Sequence, residues 1–497
     1  MLAAALALTF AYAWPMQPTG WNASAHLALV RSLGDGTAKI DRYRDETGDV
    51  GWYRGHYYAA KAPGLALYSL PPWLVLEQIP QIGDARDRAI WALNFWACVL
   101  PAILLFLLVR AVGDRLAPGT GLISAIALGT GTMVLPFATM YFSHIPAAAA
   151  SFAAFALLVR ERDGRARSGA GKAGTSAHGR LRRAYAGRPW AVFAAGLLAG
   201  VAVVFEYPAV LIGLILTGYV LGVAPRLARG AVYATGAVVG VLPLIAYQWV
   251  VYDSPFHTPY DDVVAVAGTS GHDVVGSNGE GFLGVTTPRF SDAVTLLVDD
   301  DRGLLVLSPL ALAGVVGLVL LWRAGRRAES LTCLTIGAAL LVYNSGYTPV
   351  FGEIWGGGSP GPRLLLTSLP FLMLGTGVVF RRAPLAVIAL LVASTAVFAA
   401  ATVTYPRIGE DGTGPWTWWE YVRDSSFIDT LLIEPGGPGG WVSVAPFALA
   451  LSVVLVVGIR ASRPRVSRPQ VVVAVAAVAG WGLLVLAAPT LIAIAGG

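Results

Sequence analysis

The chain has 497 residues, 56% of them hydrophobic and only 13% charged, with a mean hydropathy of +0.65 and a net charge of +6. A soluble domain carries about twice that share of charge, so a water-soluble globular protein is excluded. Nucleic acid is not implied by the positive balance, because the basic residues sit in short loops between apolar runs, as a polytopic membrane protein requires.

The first apolar run, Leu2 to Trp14, lacks a basic start and an A-x-A site, and reads as a short first helix rather than a signal peptide. Residues 15–88 follow as one long external segment, rich in Trp and Tyr. Within it Gly64 to Leu76 is apolar but short and carries Pro71-Pro72, so it reads as a helix lying at the membrane interface. Further apolar stretches near 89–110, 119–136, 143–160, 190–206, 208–224, 230–251, 303–322, 330–348, 364–380, 384–403, 442–459 and 470–492 bring the expected total to about 13 transmembrane helices. The fold class expected is an all-α polytopic membrane protein.

Charge orients the helices. The loop from Arg160 to Arg188 holds nine Lys/Arg against two acids. It and the Arg226, Arg323, Arg381 and Arg460 clusters are placed in the cytoplasm. Residues 161–189 are expected to be a basic linker there, disordered over 164–187. The acidic loops, 252–302 and 404–441, then fall outside. Residues 1–403 form the expected catalytic module; residues 404–497 add an external loop and two helices. Cys98 and Cys333 both lie in apolar runs and read as inert core.

Chemistry-bearing residues collect near the external ends of the helices. Asp41, Asp49, His56, Tyr57 and Lys61 fall within 21 residues of one another. Lys61 is one of three lysines against 32 arginines, and it precedes a Pro-Gly turn at the membrane face. A compact ammonium there suits a phosphate; the plainer alternative is a snorkelling lysine. His144, in Tyr141-Phe142-Ser143-His144, offers an imidazole. Glu206 ends a helix, where a carboxylate must be hydrated or paired. The stretch from Trp355 through three glycines to Arg363 allows close backbone approach and supplies a planar fork for phosphate. Asp299-Asp300-Asp301 can hold a divalent cation, but a solvated acidic turn is the simpler reading. No P-loop, H-E-x-x-H, G-x-S-x-G or paired-cysteine metal spacing occurs, and no metal ligand set is assigned.

Together these pieces resemble the GT-C superfamily of membrane glycosyltransferases, in particular the bacterial relatives of protein O-mannosyltransferases and aminoarabinose transferases. Lys61-Ala62-Pro63-Gly64-Leu65 is similar to the family's Lys-Pro-Pro-Leu-like turn. Gly196-Leu197-Leu198-Ala199-Gly200 leading to Glu206-Tyr207-Pro208 is similar to the helix that ends in a polar group beside a proline. The resemblance covers most of residues 1–380. It implies interfacial helices in the first external loop and a polyprenyl-phosphate sugar donor whose phosphate meets Lys61. It also implies an envelope acceptor and an active site on the external face of the plasma membrane. One departure stands out: the family's acidic pair after the first helix is replaced by Gly20-Trp21-Asn22-Ala23-Ser24, and Asn22 is no base. Asp41 is therefore ranked first as the base, Asp49 second and Glu206 third, with His56, Tyr57, His144, Trp355 and Arg363 as substrate contacts. The rival readings are a flippase for lipid-linked sugars and a non-catalytic envelope scaffold. A flippase would place ionisable residues at the bilayer midplane rather than at helix ends.

Overall fold

The computed structural model describes residues 1–169, 188–263, 266, 268–272, 284–347, 354–407, 415–433, 436–464 and 467–496. Every apolar stretch named above is helical over most of its length. Among the described residues six helices are long and apolar enough to cross a membrane: Arg86–Leu116, Arg226–Tyr252, Arg363–Phe380, Pro384–Val403, Trp441–Ser462 and Arg468–Gly496. Shorter apolar helices, Leu2–Ala13 and Pro189–Phe205 among them, pack beside these.

Two expected helices are interrupted. Residues 119–136 split into Gly121–Thr130 and Val134–Thr139, and residues 303–322 into Leu304–Leu307 and Leu310–Arg323. Pro309 cannot donate a backbone hydrogen bond, which accounts for the second break. The breaks meet: the Ser308 hydroxyl donates to the Gly131 carbonyl at 2.6 Å, satisfying an acceptor that the first break frees.

Glycines set the close contact between two of these helices. Gly196 and Gly200 on Pro189–Phe205 face Gly236 and Gly240 on Arg226–Tyr252. A Cβ on Gly196 would lie 2.0 Å from the Tyr233 carbonyl oxygen, and one on Gly240 would lie 2.1 Å from that of Leu197. Two small-xxx-small faces thus bring backbones together as membrane helices require.

Residues 15–88 contain the helix Trp21–Gly34, a single 3-10 segment Asp41–Glu46, and the helix Gly64–Leu76. They also contain an antiparallel hairpin, Val50–Tyr53 with His56–Ala59, so the all-α expectation is corrected here. Aromatic and β-branched residues favour the strands. Arg54 and Gly55, both at positive φ, make the two-residue turn whose twist matches a hairpin.

The expected basic linker 161–189 is also corrected. The helix His144–Gly169 runs past its apolar part, while residues 170–187 lie outside the described residues. Its extension is held by charges from neighbouring elements. Arg229 meets Glu161 at 2.5 Å, Arg326 meets Asp163 at 2.8 Å, and Arg162 lies 3.9 Å from Glu329. Removing one partner of a buried pair leaves the other charge uncompensated. Arg229→Ala is expected to destabilise the protein by about 3 kcal/mol. Thermal unfolding in detergent measures this, and Arg229→Lys should recover part of the loss.

Candidate active site

The hairpin register places the first two groups. The Ala60 amide donates to the Asp49 carbonyl at 2.9 Å, one step beyond the Val50–Ala59 pair. Lys61, the next residue, reaches back to Asp49, with its ammonium 2.8 Å from Oδ2. His272 arrives from 223 residues along the chain, its Nε2 2.6 Å from Asp49 Oδ1. Gly271 delivers it by donating its amide to the Gly48 carbonyl at 3.0 Å. All three side chains are buried, Asp49 at 6% exposure, Lys61 at 9% and His272 at 7%.

Burial alone would raise the Asp49 carboxyl. The Lys61 ammonium and the His272 hydrogen bond outweigh it and hold the group well below the ordinary carboxylate range. Because the folded pKa lies below the unfolded one, the ionised pair contributes stability at every pH above the ordinary carboxylate value. That contribution is lost only as pH falls through the depressed folded value.

A second pair stands next to the first. His144 Nδ1 lies 2.6 Å from Glu206 Oε1, and the Ser143 hydroxyl donates to the same oxygen. The contact between the two halves is made at Gly64. A Cβ there would lie 2.5 Å from the Val204 carbonyl oxygen, so the start of the Gly64–Leu76 helix rests directly on the end of Pro189–Phe205. Ala62 packs with Val204 and Tyr207 at the same place. Arg363 carries its positive charge toward Glu206. Its Nε is buried without a hydrogen-bond partner, and its guanidinium lies against Gly356 and Gly357. Trp355 is buried beneath the Arg302 guanidinium, 5.1 Å from its ring centre.

The other expected residues lie elsewhere. Asp41 is 43% exposed; its carboxylate contacts His56 Nδ1 at 2.8 Å and accepts the Tyr57 amide at 2.7 Å. His56 Nε2 is 3.0 Å from Lys39, and the Tyr57 hydroxyl accepts from Arg44 at 2.6 Å. Among the described residues no ion pair or hydrogen bond joins Asp41 to Asp49, Lys61, His144 or Glu206. Asp41, His56 and Tyr57 thus build the exposed edge of the hairpin. Asp299 accepts the backbone amides of Asp301 at 3.0 Å and Arg302 at 2.8 Å, the bonding of an acidic turn. Among the described residues no group of three or more His, Cys, Asp or Glu is placed to hold a metal ion.

His26 and His272 are additions that sequence reasoning missed. The signal available was rarity, since the chain has only six histidines. His26 lies one helical turn after Asn22 on Trp21–Gly34, fully buried, and feels the charges of Lys61, Glu206, Asp49 and His144.

No family model matches the sequence, and no curated protein matches it. Solved structures do. The crystal structure of ArnT from Cupriavidus metallidurans bound to undecaprenyl phosphate aligns with a TM-score of 0.53 at 16% identity, over 98% of this chain and 77% of that one. The chain shares the fold of that ArnT. The apo form of the same ArnT aligns with a TM-score of 0.51 at 16% identity, over 93% of this chain and 76% of that one. At this identity the likeness is one of fold. In this chain the polar cluster is assembled from the segment after the first helix, the ends of two helices and the 268–272 segment.

Proposed function

We propose that the chain is a glycosyltransferase that moves a sugar from a polyprenyl-phosphate donor to a hydroxyl of an envelope lipid, glycan or protein, on the external face of the plasma membrane. The observation that carries this reading is the buried Asp49–Lys61 pair, with the ammonium 2.8 Å from the carboxylate at the start of the Lys-Ala-Pro-Gly turn. The fold shared with an undecaprenyl-phosphate-bound ArnT supports it.

In the proposed reaction the donor phosphate competes with Asp49 for Lys61. Arg363 adds a second positive charge to the departing phosphate. Release of Lys61 leaves a carboxylate held by His272, free to take the acceptor proton. The acceptor oxygen then forms its bond to the anomeric carbon as the carbon–oxygen bond to phosphate breaks. The electron pair leaves with the polyprenyl phosphate, and the anomeric centre inverts. Asp49 replaces Asp41 as the first-ranked base, because Asp41 is engaged at an exposed edge. Glu206, paired to His144, orients the acceptor.

The test is incubation of purified protein in lipid nanodiscs with a panel of radiolabelled polyprenyl-phosphate sugars. Transfer or hydrolysis of one donor is expected; inertness toward all, with no binding of undecaprenyl phosphate, overturns the reading. The membrane topology is tested separately. Single cysteines at Gly36 and Asp84 are expected to react with an impermeant label from the external side only. Labelling from opposite sides would put a crossing between them and break the proposed orientation.

A further inference from the structure

His26 carries the most unusual polar environment in the cluster. Its side chain is fully buried on the Trp21–Gly34 helix, and neither Nδ1 nor Nε2 has a hydrogen-bond partner among the described residues. Its ring meets Tyr141 edge-on, with centroids 6.1 Å apart. The Tyr141 hydroxyl is already committed to Ser69 at 2.7 Å, so it does not serve the imidazole. Burial first, and the Lys61 ammonium second, push the imidazole down to about 3 against the opposing carboxylates of Glu206 and Asp49. The ring is therefore neutral at every working pH. It holds one N–H donor and one lone-pair acceptor, and it is a poor proton acceptor.

A buried polar group left without partners costs stability, and one kept in a native structure calls for a partner, whether a ligand, a water or an ion. The partner that suits a neutral imidazole both donates and accepts. A sugar hydroxyl does both; a phosphate oxygen only accepts. The phosphate also has better partners in Lys61 and Arg363. We infer that His26 is the contact for a hydroxyl of the donor sugar, and that it gives the site its preference for sugar-bearing over bare polyprenyl phosphate. This inference rests on the proposed glycosyltransferase reading. It assigns the two groups separate tasks: Lys61 reads the phosphate that every polyprenyl-phosphate ligand carries, and His26 reads the sugar.

The experiment compares two ligand classes on the full-length protein in nanodiscs. Undecaprenyl phosphate is one. Undecaprenyl phosphate carrying a hexose, a pentose or an aminopentose is the other. The parent protein is expected to bind one sugar-bearing form more tightly than the bare phosphate. His26→Ala should lose that preference, by about 10-fold, while affinity for bare undecaprenyl phosphate stays within about twofold. His26→Phe removes the orphaned polar atoms while keeping a ring; it should unfold at a higher temperature than the parent and still lack the preference. His26→Asn keeps a donor and an acceptor and should recover part of it. Equal loss of both affinities, or a preference intact in His26→Ala and His26→Phe, overturns the inference and leaves His26 as a core residue satisfied by water. A parent protein that binds bare undecaprenyl phosphate but no sugar form more tightly also overturns it, with the phosphate site still standing. Failure to bind either class removes the glycosyltransferase reading and the inference with it.

Discussion

Asp49→Asn is expected to abolish turnover while donor binding survives. Asparagine keeps the shape and can still accept from His272, but it cannot take the acceptor proton. General-base catalysis contributes roughly 10²–10⁴-fold to rate, so kcat should fall by about that factor. Donor affinity should hold or rise, because Lys61 no longer has a carboxylate 2.8 Å away to compete with the phosphate. Asp41→Asn is the contrasting variant. It removes the charge that faces His56, keeps an oxygen for the Tyr57 amide at the exposed edge of the hairpin, and should cost little activity. Radiolabel transfer for kcat and a separate binding titration distinguish the two. Parent-like turnover in Asp49→Asn would end the carboxylate mechanism.

Lys61→Ala is expected to give the largest loss of donor affinity. A charge-assisted contact to phosphate lost from a buried site costs about 1.5–3 kcal/mol, which is roughly 10- to 150-fold in Kd. Lys61→Arg should recover only part, since a planar fork does not fit a pocket built for a point charge. Arg363→Ala should show a smaller loss in the same direction. The pH profile adds an independent readout. In the parent, Lys61 and His272 hold Asp49 ionised well below the ordinary carboxylate range, so Asp49 imposes no acid limb near pH 4–5. In Lys61→Ala, burial works with one opposing group fewer. The Asp49 carboxyl then rises, and both activity and stability should begin to fall at a higher pH than in the parent. An unchanged acid limb would mean that the ammonium does not set the carboxylate.

Much of the scaffold was legible because membrane helices are local objects. The bilayer demands about 20 apolar residues per crossing, and that demand is written in composition. The misreadings came where distant groups intervene. Residues 161–169 looked like a loop because Glu161, Arg162 and Asp163 are charged, yet Arg229 and Arg326 from other helices neutralise them and the helix continues. The hairpin was hidden by the dominant apolar-helix pattern, although Arg54-Gly55 between the aromatic pairs Trp52-Tyr53 and Tyr57-Tyr58 was a readable turn.

By itself the sequence determined that the chain is polytopic, that Lys61 stands at a Pro-Gly turn within the long segment, and that residues 15–34, directly after the first helix, hold no acid. Each of these depends only on residues close together in the chain. Which carboxylate is buried was a tertiary decision. Asp41 and Asp49 are eight residues apart in the same external segment. Only the hairpin register and the arrival of His272 from 223 residues away separate an exposed edge from a desolvated ion pair. The same holds for His26, which is buried against Tyr141, 115 residues away, and feels the charges of Lys61, Glu206 and Asp49. Electrostatic character in a low-dielectric site is set by what lies within a few ångströms in space, and chain proximity does not encode it.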